Sequence, residues 1–70
     1  MGRLPVGALR CFEAFARLGD MVQAARELGV TPSAVSHQLR GLEELLGTRL
    51  TERHGRRLAL TQEGRRYFEA

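Results

Sequence analysis

Apolar side chains recur at helical intervals early in the chain, where Leu9, Phe12, Phe15 and Ala16 are interleaved with Arg10, Glu13 and Arg17. That period predicts one helix from Leu4 to Leu18, ended by Gly19. Asp20 is placed to cap a second helix, MVQAARELG, in which Ala24, Ala25 and Leu28 make a narrow apolar stripe. The two adjacent alanines leave room for another helix axis to come close. Gly29 ends this helix and Val30 is a short apolar connector. Thr31 then supplies a hydroxyl cap, and Pro32 a proline at the first helical position. Two helices joined by a short turn that contains glycine have the spacing of a helix-turn-helix unit. In the third helix, predicted over 32–46, Val35, Leu39, Leu42 and Leu46 form one inward stripe. Gly41 interrupts that helix at a cost of up to ~1 kcal/mol relative to alanine, and nothing in the sequence accounts for it.

Gly47 ends the third helix. Two short segments follow, Arg49 to Arg53 and Arg57 to Leu60, with the turn-prone His54 and Gly55 between them. They read as a small β-hairpin whose Leu50, Leu58 and Leu60 are available to the core. Thr61 caps a last helix with Glu63 and Gly64 in its first turn, and the sequence stops at Ala70 barely two turns later. The expected fold is mainly α: a three-helix core, a hairpin and the start of a fourth helix. Its core is predicted from Leu9, Phe12, Phe15, Ala24, Ala25, Leu28, Val35, Leu39, Leu42 and Leu46. No internal repeat, low-complexity stretch or interdomain linker interrupts this order.

Seventy residues make one small domain, marginal in core size unless well packed or partnered. A single cysteine, Cys11, excludes an intramolecular disulfide. It lies beside the Phe12 stripe, where a packing thiol is the simpler reading and a redox sensor the other. No apolar run approaches the ~20 residues of a membrane span, and MGRLPVGALR lacks the apolar stretch of a signal peptide. The expectation is a cytoplasmic protein without membrane contact. Net charge is +3, but it is unevenly spread. Residues 1–48 hold five arginines and five acidic residues, whereas Arg49, Arg53, Arg56, Arg57, Arg65 and Arg66 face only Glu52 and Glu63 within 49–66. There is no lysine, and arginine suits bidentate phosphate contacts and narrow grooves.

The residues for catalysis are not assembled. Ser33 and His37 share a helix face, but a hydrolytic site would need an orienting acid and an oxyanion site inside a pocket that so small a domain hardly has. His37, His54 and one cysteine do not form a zinc spacing. Neither enzyme activity nor a metal or other cofactor is expected. The third helix instead carries short polar side chains, Ser33, Ser36 and His37, with Arg40, on the side away from Val35, Leu39 and Leu42. A helix lying in the DNA major groove needs such a face, free of bulky solvated chains and offering donors and acceptors to phosphates and base edges. Its N-terminus adds backbone N–H groups and the positive end of the dipole. A hairpin carrying Arg56 and Arg57 could then enter the flanking minor groove. A merely solvated face, or one that docks a protein, is the alternative.

The stretches ALRCFEAFARLGD, AARELGVTPSAVSHQLRGLEELLG and RLTERHGRRLALTQEG, in this order and spacing, resemble the N-terminal winged helix-turn-helix domain of LysR-type transcriptional regulators. The resemblance runs from Leu4 to about Phe68. LPVGALRCFEA and SAVSHQL further resemble the subgroup of glycine-cleavage activators and β-lactamase regulators. The resemblance implies a homodimeric or tetrameric regulator of double-stranded DNA that reads an interrupted dyad operator. It also implies that residues 1–61 form the winged domain and 62–70 begin a dimerisation linker. An effector-binding domain would lie outside these residues, so this chain is expected to bind no small-molecule effector.

Carried over by position, Thr31, Pro32 and Ser33 stand where the family's recognition helix first meets bases or phosphates, and Ser36 and His37 stand one turn on. Arg53 matches the arginine after the first wing strand, and Arg56 and Arg57 match the basic wing tip. Three departures stand out. Pro32 replaces a frequent glutamine and removes a side-chain base reader. The run Asp20, Met21, Val22 replaces Ser-Phe-Thr, so a phosphate contact is lost and Asp20 would repel a close phosphate. Thr51 replaces a phenylalanine, which predicts looser packing beneath the wing. Tyr67 and Phe68 either serve a dimer or pack back on helix one.

Overall fold

The computed structural model describes residues 5–70. Four helices and one hairpin follow in the expected order: α1 (Val6–Leu18), α2 (Met21–Leu28), α3 (Pro32–Leu46), β1 (Thr51–His54), β2 (Arg57–Leu60) and α4 (Gln62–Glu69). The expected start at Leu4 lies outside the described residues. Three helices begin on the side chains predicted to cap them. Asp20 accepts from Gln23 N–H at 2.9 Å, Thr31 from Ala34 N–H at 3.1 Å, and Thr61 from Gly64 N–H at 2.9 Å. At the end of α2, Gly29 takes φ +71°, and the Val30 N–H reaches back to the Ala25 carbonyl at 3.0 Å. This left-handed residue turns the chain so that α3 starts three residues later, and a side chain there would strain the backbone.

The first three helices enclose the core. α1 contributes Ala8, Cys11, Phe12, Ala14 and Phe15, a broader face than the predicted stripe, while Leu9 and Ala16 are only half-buried. Ala24 and Ala25 of α2 are buried as expected, whereas Leu28 is half-buried. On α3, Val35, Leu39 and Leu42 are buried, but Leu46 is 40% exposed. The last turn of α3 outruns the body it packs on, and Leu45 beside it is also exposed. After the reversal at Gly47 it is Leu50, 1% exposed, that returns to the core. On the outer surface Arg17 bridges Glu13 of α1 and Glu27 of α2. The Arg17 hydrogen bonds hold the Glu13 carboxyl below its ordinary pKa, and the two carboxylates raise that of Arg17.

The hairpin is shorter and differently turned than predicted. Its first strand begins at Thr51, not Arg49, because the Leu50 and Thr51 N–H groups both donate to the Glu43 carboxylate at 2.9 Å. His54 pairs with Arg57, so the two-residue turn is Gly55–Arg56, not His54–Gly55. Gly55 has φ +65° and is the residue of that turn with positive φ, the first central position where a type II′ turn requires glycine. Thr51, expected to loosen the packing, is 5% exposed and donates its hydroxyl to Glu43 at 2.9 Å. A phenylalanine has no such donor, so the polar residue is anchored where an aromatic ring would fill space.

α4 starts against this same segment. Thr61 donates its N–H to the Leu50 carbonyl at 2.9 Å and its hydroxyl to the Arg49 carbonyl at 2.7 Å. A Cβ on Gly64 would overlap the Leu50 carbonyl oxygen. Tyr67 and Phe68 pack edge-on against Phe12 of α1, with ring centroids 5.5 and 6.4 Å away, and remain 39% and 40% exposed. No helix of the described residues is long and apolar enough to cross a membrane.

Candidate nucleic-acid interface

The start of α2, the first half of α3 and the hairpin enclose an open cleft of about 380 Å³. Pro32, Ser33 and Ser36 line it from α3, and Arg53, Arg56 and Arg57 line it from the hairpin. Six of the predicted site residues therefore converge from two elements about twenty positions apart in sequence. Asp20 lines the same cleft while capping α2. A second, smaller cleft of about 160 Å³ lies between α3 and β1 and holds Arg40 with Arg49. Ser36 and Arg53 border both. Thr31 and His37 line neither; both are exposed on α3 or at its cap.

Charge is available at this surface. Among the described residues Arg40, Arg53, Arg56 and Arg57 form no ion pair, whereas Arg17 is held by two carboxylates and Arg49 lies 3.8 Å from Glu43. Clustered, unpaired guanidinium groups repel one another and are relieved by an anionic ligand. His54, at the end of β1, is paired with Glu52 at 3.0 Å.

The helix N-terminus offers less than expected. Pro32 has no N–H, Ala34 N–H is taken by the Thr31 hydroxyl, and Val35 N–H bonds to the Thr31 carbonyl at 3.1 Å. Ser33 N–H is left as the free backbone donor of the first turn. The Thr31 hydroxyl, accepting from Ala34, keeps its own proton to donate outward.

Among the described residues no three of His, Cys, Asp or Glu come together as metal ligands. Cys11 is buried in the core, and desolvation pushes its thiol pKa up against the opposite pull of Arg10, which suits a packing thiol.

Two residues of this region escaped the sequence reading of the site. Arg49 enters the sequence reading through the charge balance and as the start of the first hairpin segment, not as a site residue, and it lines the smaller cleft. Glu43 is 9% exposed, and the signal was its spacing: four residues after Leu39, it falls on the apolar face of α3. A carboxylate there has to find donors from elsewhere in the fold.

The family model described as "Bacterial regulatory helix-turn-helix protein, lysR family" matches residues 6–65. The chain belongs to the LysR family. LysR relatives include the glycine cleavage system transcriptional activator of Escherichia coli strain K12, 52% identical over 64 residues covering 91% of this chain and 21% of that protein. The transcriptional activator AmpR of Pseudomonas aeruginosa is 56% identical over 61 residues, 87% of this chain and 21% of the relative. The chain thus spans about a fifth of the length of the curated LysR regulators it matches. The carbapenem-hydrolyzing β-lactamase transcriptional activator of Enterobacter cloacae is 52% identical over 62 residues, 89% of this chain and 21% of the relative, so both kinds of regulator named in the resemblance are among its relatives. Among solved structures, the CbnR DBD–DNA complex superposes with TM-score 0.81 at 36% identity, covering 90% of this chain and 72% of that one. The BenM DBD complex with benA site 1 DNA gives 0.82 at 33%, covering 91% and 72%. The fold is therefore the winged helix-turn-helix of LysR DNA-binding domains, with the hairpin as its wing.

Proposed function

We propose that this LysR domain binds double-stranded DNA sequence-specifically for a transcription regulator, with α3 in the major groove and the wing in the flanking minor groove. The observation that carries this reading is the cleft in which the polar start of α3 meets the unpaired Arg53, Arg56 and Arg57. The solved CbnR and BenM complexes, of the same fold and bound to DNA, support it.

Roles follow from chemistry and position. Ser36 and His37 offer short donors and acceptors to base edges, and Ser33 N–H and the Thr31 hydroxyl serve phosphates. Pro32 holds the first turn without reading a base. Arg53, Arg56 and Arg57 neutralise backbone charge and enter the narrower groove, and Arg40 meets the strand beyond α3. The reading includes residues 1–61 as the winged domain, 62–70 as the beginning of a linker helix, and a homodimer or tetramer on an interrupted dyad operator. It places the protein in the cytoplasm, without catalysis or a small-molecule effector bound by these residues.

The test is binding by the wild-type chain and by Ser36→Ala combined with His37→Ala, on a duplex enriched from a random pool and on its scrambled counterpart, at two salt concentrations. Preference for the enriched duplex that the double variant erases is the expected result. Binding indifferent to duplex sequence and to the substitutions would overturn sequence readout by α3 and turn attention to a protein partner for this face.

A further inference from the structure

We infer that Glu43 is a positioning residue for DNA binding: from inside the fold it fixes the wing relative to α3 and so decides where Arg56 and Arg57 lie. The inference rests on the DNA-binding reading above and adds a residue that touches no DNA. Glu43 is 9% exposed, and one of its oxygens, Oε2, accepts three hydrogen bonds of 2.9 Å, from Leu50 N–H, Thr51 N–H and the Thr51 hydroxyl. Without it two consecutive backbone donors at the root of the wing would be buried without partners. The opposite side of the root is also held, since Thr61 binds the Arg49 and Leu50 carbonyls. Residues 49–51 are thus clamped between α3 and α4.

Beyond this root the wing meets the body through Leu58 and Leu60 of β2, which are half-buried against the core. Residues 52–57 are exposed, and an isolated two-stranded hairpin is marginal in water. Four strand residues carry the tip about 13 Å from the root, so a rotation of about 10° there displaces Arg56 by about 2 Å. A shift of that size exceeds the tolerance of a hydrogen bond to phosphate or base. Charge and geometry make opposite forecasts for Glu43. Removing a negative charge near the DNA surface favours binding by Coulomb attraction, whereas releasing the wing weakens it.

Glu43→Gln and Glu43→Ala separate the two, because they carry the same charge. All three bonds converge on one oxygen, which the amide carbonyl of glutamine can replace and alanine cannot. The measurement is the affinity lost when Arg56→Ala and Arg57→Ala are added in the wild-type, Glu43→Gln and Glu43→Ala backgrounds. It uses the enriched duplex, at a temperature where circular dichroism shows each chain folded. In wild type and Glu43→Gln the arginine pair should be worth about ten-fold or more in affinity; in Glu43→Ala it should fall to about two-fold or less. The loss caused by Ser36→Ala with His37→Ala should stay the same in all three, which general unfolding would not allow. Should Glu43→Ala fail to fold, Glu43→Asp replaces it: charge is kept, the acceptor retreats by one methylene, and the arginine contribution should again collapse. An arginine contribution that persists in the Ala or Asp background overturns the inference alone. One absent even in wild type overturns the wing's part in the DNA reading, and this inference with it.

Discussion

Two glycines inside helices carry opposite constraints. Around Gly41 a Cβ would meet nothing within 4 Å, so its absence only loosens the unfolded chain and the helix. Gly41→Ala is expected to raise stability by about 0.5–1 kcal/mol, seen as a higher urea midpoint with unchanged slope. At Gly64 the same methyl group would overlap the Leu50 carbonyl oxygen, which is backbone and cannot swing aside. Gly64→Ala is expected to destabilise by about 1–3 kcal/mol despite the better helix propensity of alanine, with a lowered melting temperature as the readout. Sequence alone could not rank the two, since both read as glycines in helical pattern. Glu43 was hidden for a similar reason: its donors come from residues that return to α3 only after the chain reverses at Gly47. The α3 cap, by contrast, was legible, because Thr31 and Ala34 are three residues apart and need no tertiary information.

At the scale of elements the helices were readable and the wing was not fully so. A cap and a glycine stop act within one turn, and they placed α3 to the residue and α2 to within one, since Gly29 follows the helix as its left-handed cap. The limits of β1 depend on which donors are left after Glu43 has taken two, a question of tertiary geometry. The start of α2 gives a further test. Asp20 performs two acts that conflict, capping the helix and placing a carboxylate in the cleft of Arg53, Arg56 and Arg57. Asparagine caps about as well without the charge. Asp20→Asn is therefore expected to tighten DNA binding, by about three-fold or more at low salt, and to leave thermal stability within about 0.5 kcal/mol. Equal affinity at low salt would mean that no phosphate approaches this end of α2.

Among the described residues only Arg17 and Arg49 of the arginines lie within ion-pair reach of a carboxylate, and the shared cleft sets Arg53, Arg56 and Arg57 apart from the other unpaired ones. Arg17 ties α1 to α2 through Glu13 and Glu27, while Arg56 and Arg57 have no acidic partner among the described residues. Log affinity against log salt is expected to flatten by about one unit for each of Arg56→Ala and Arg57→Ala, and to keep its slope in Arg17→Gln. A slope unchanged in all three would exclude the wing from the phosphate contacts. The uneven charge was visible in the sequence; which arginines were neutralised on the surface was not. The clamp at residues 49–51 also sets an order of events in time. Its bonds join residues seven to twelve positions apart, to partners on helices that must already exist, so closing those loops costs entropy before it returns anything. The three-helix body can assemble first and the wing last. Pulse-labelled amide exchange during refolding should find the amides of β1 and β2 protected after those of α1 and α3, so that a newly made chain acquires its compact body before it acquires its grip.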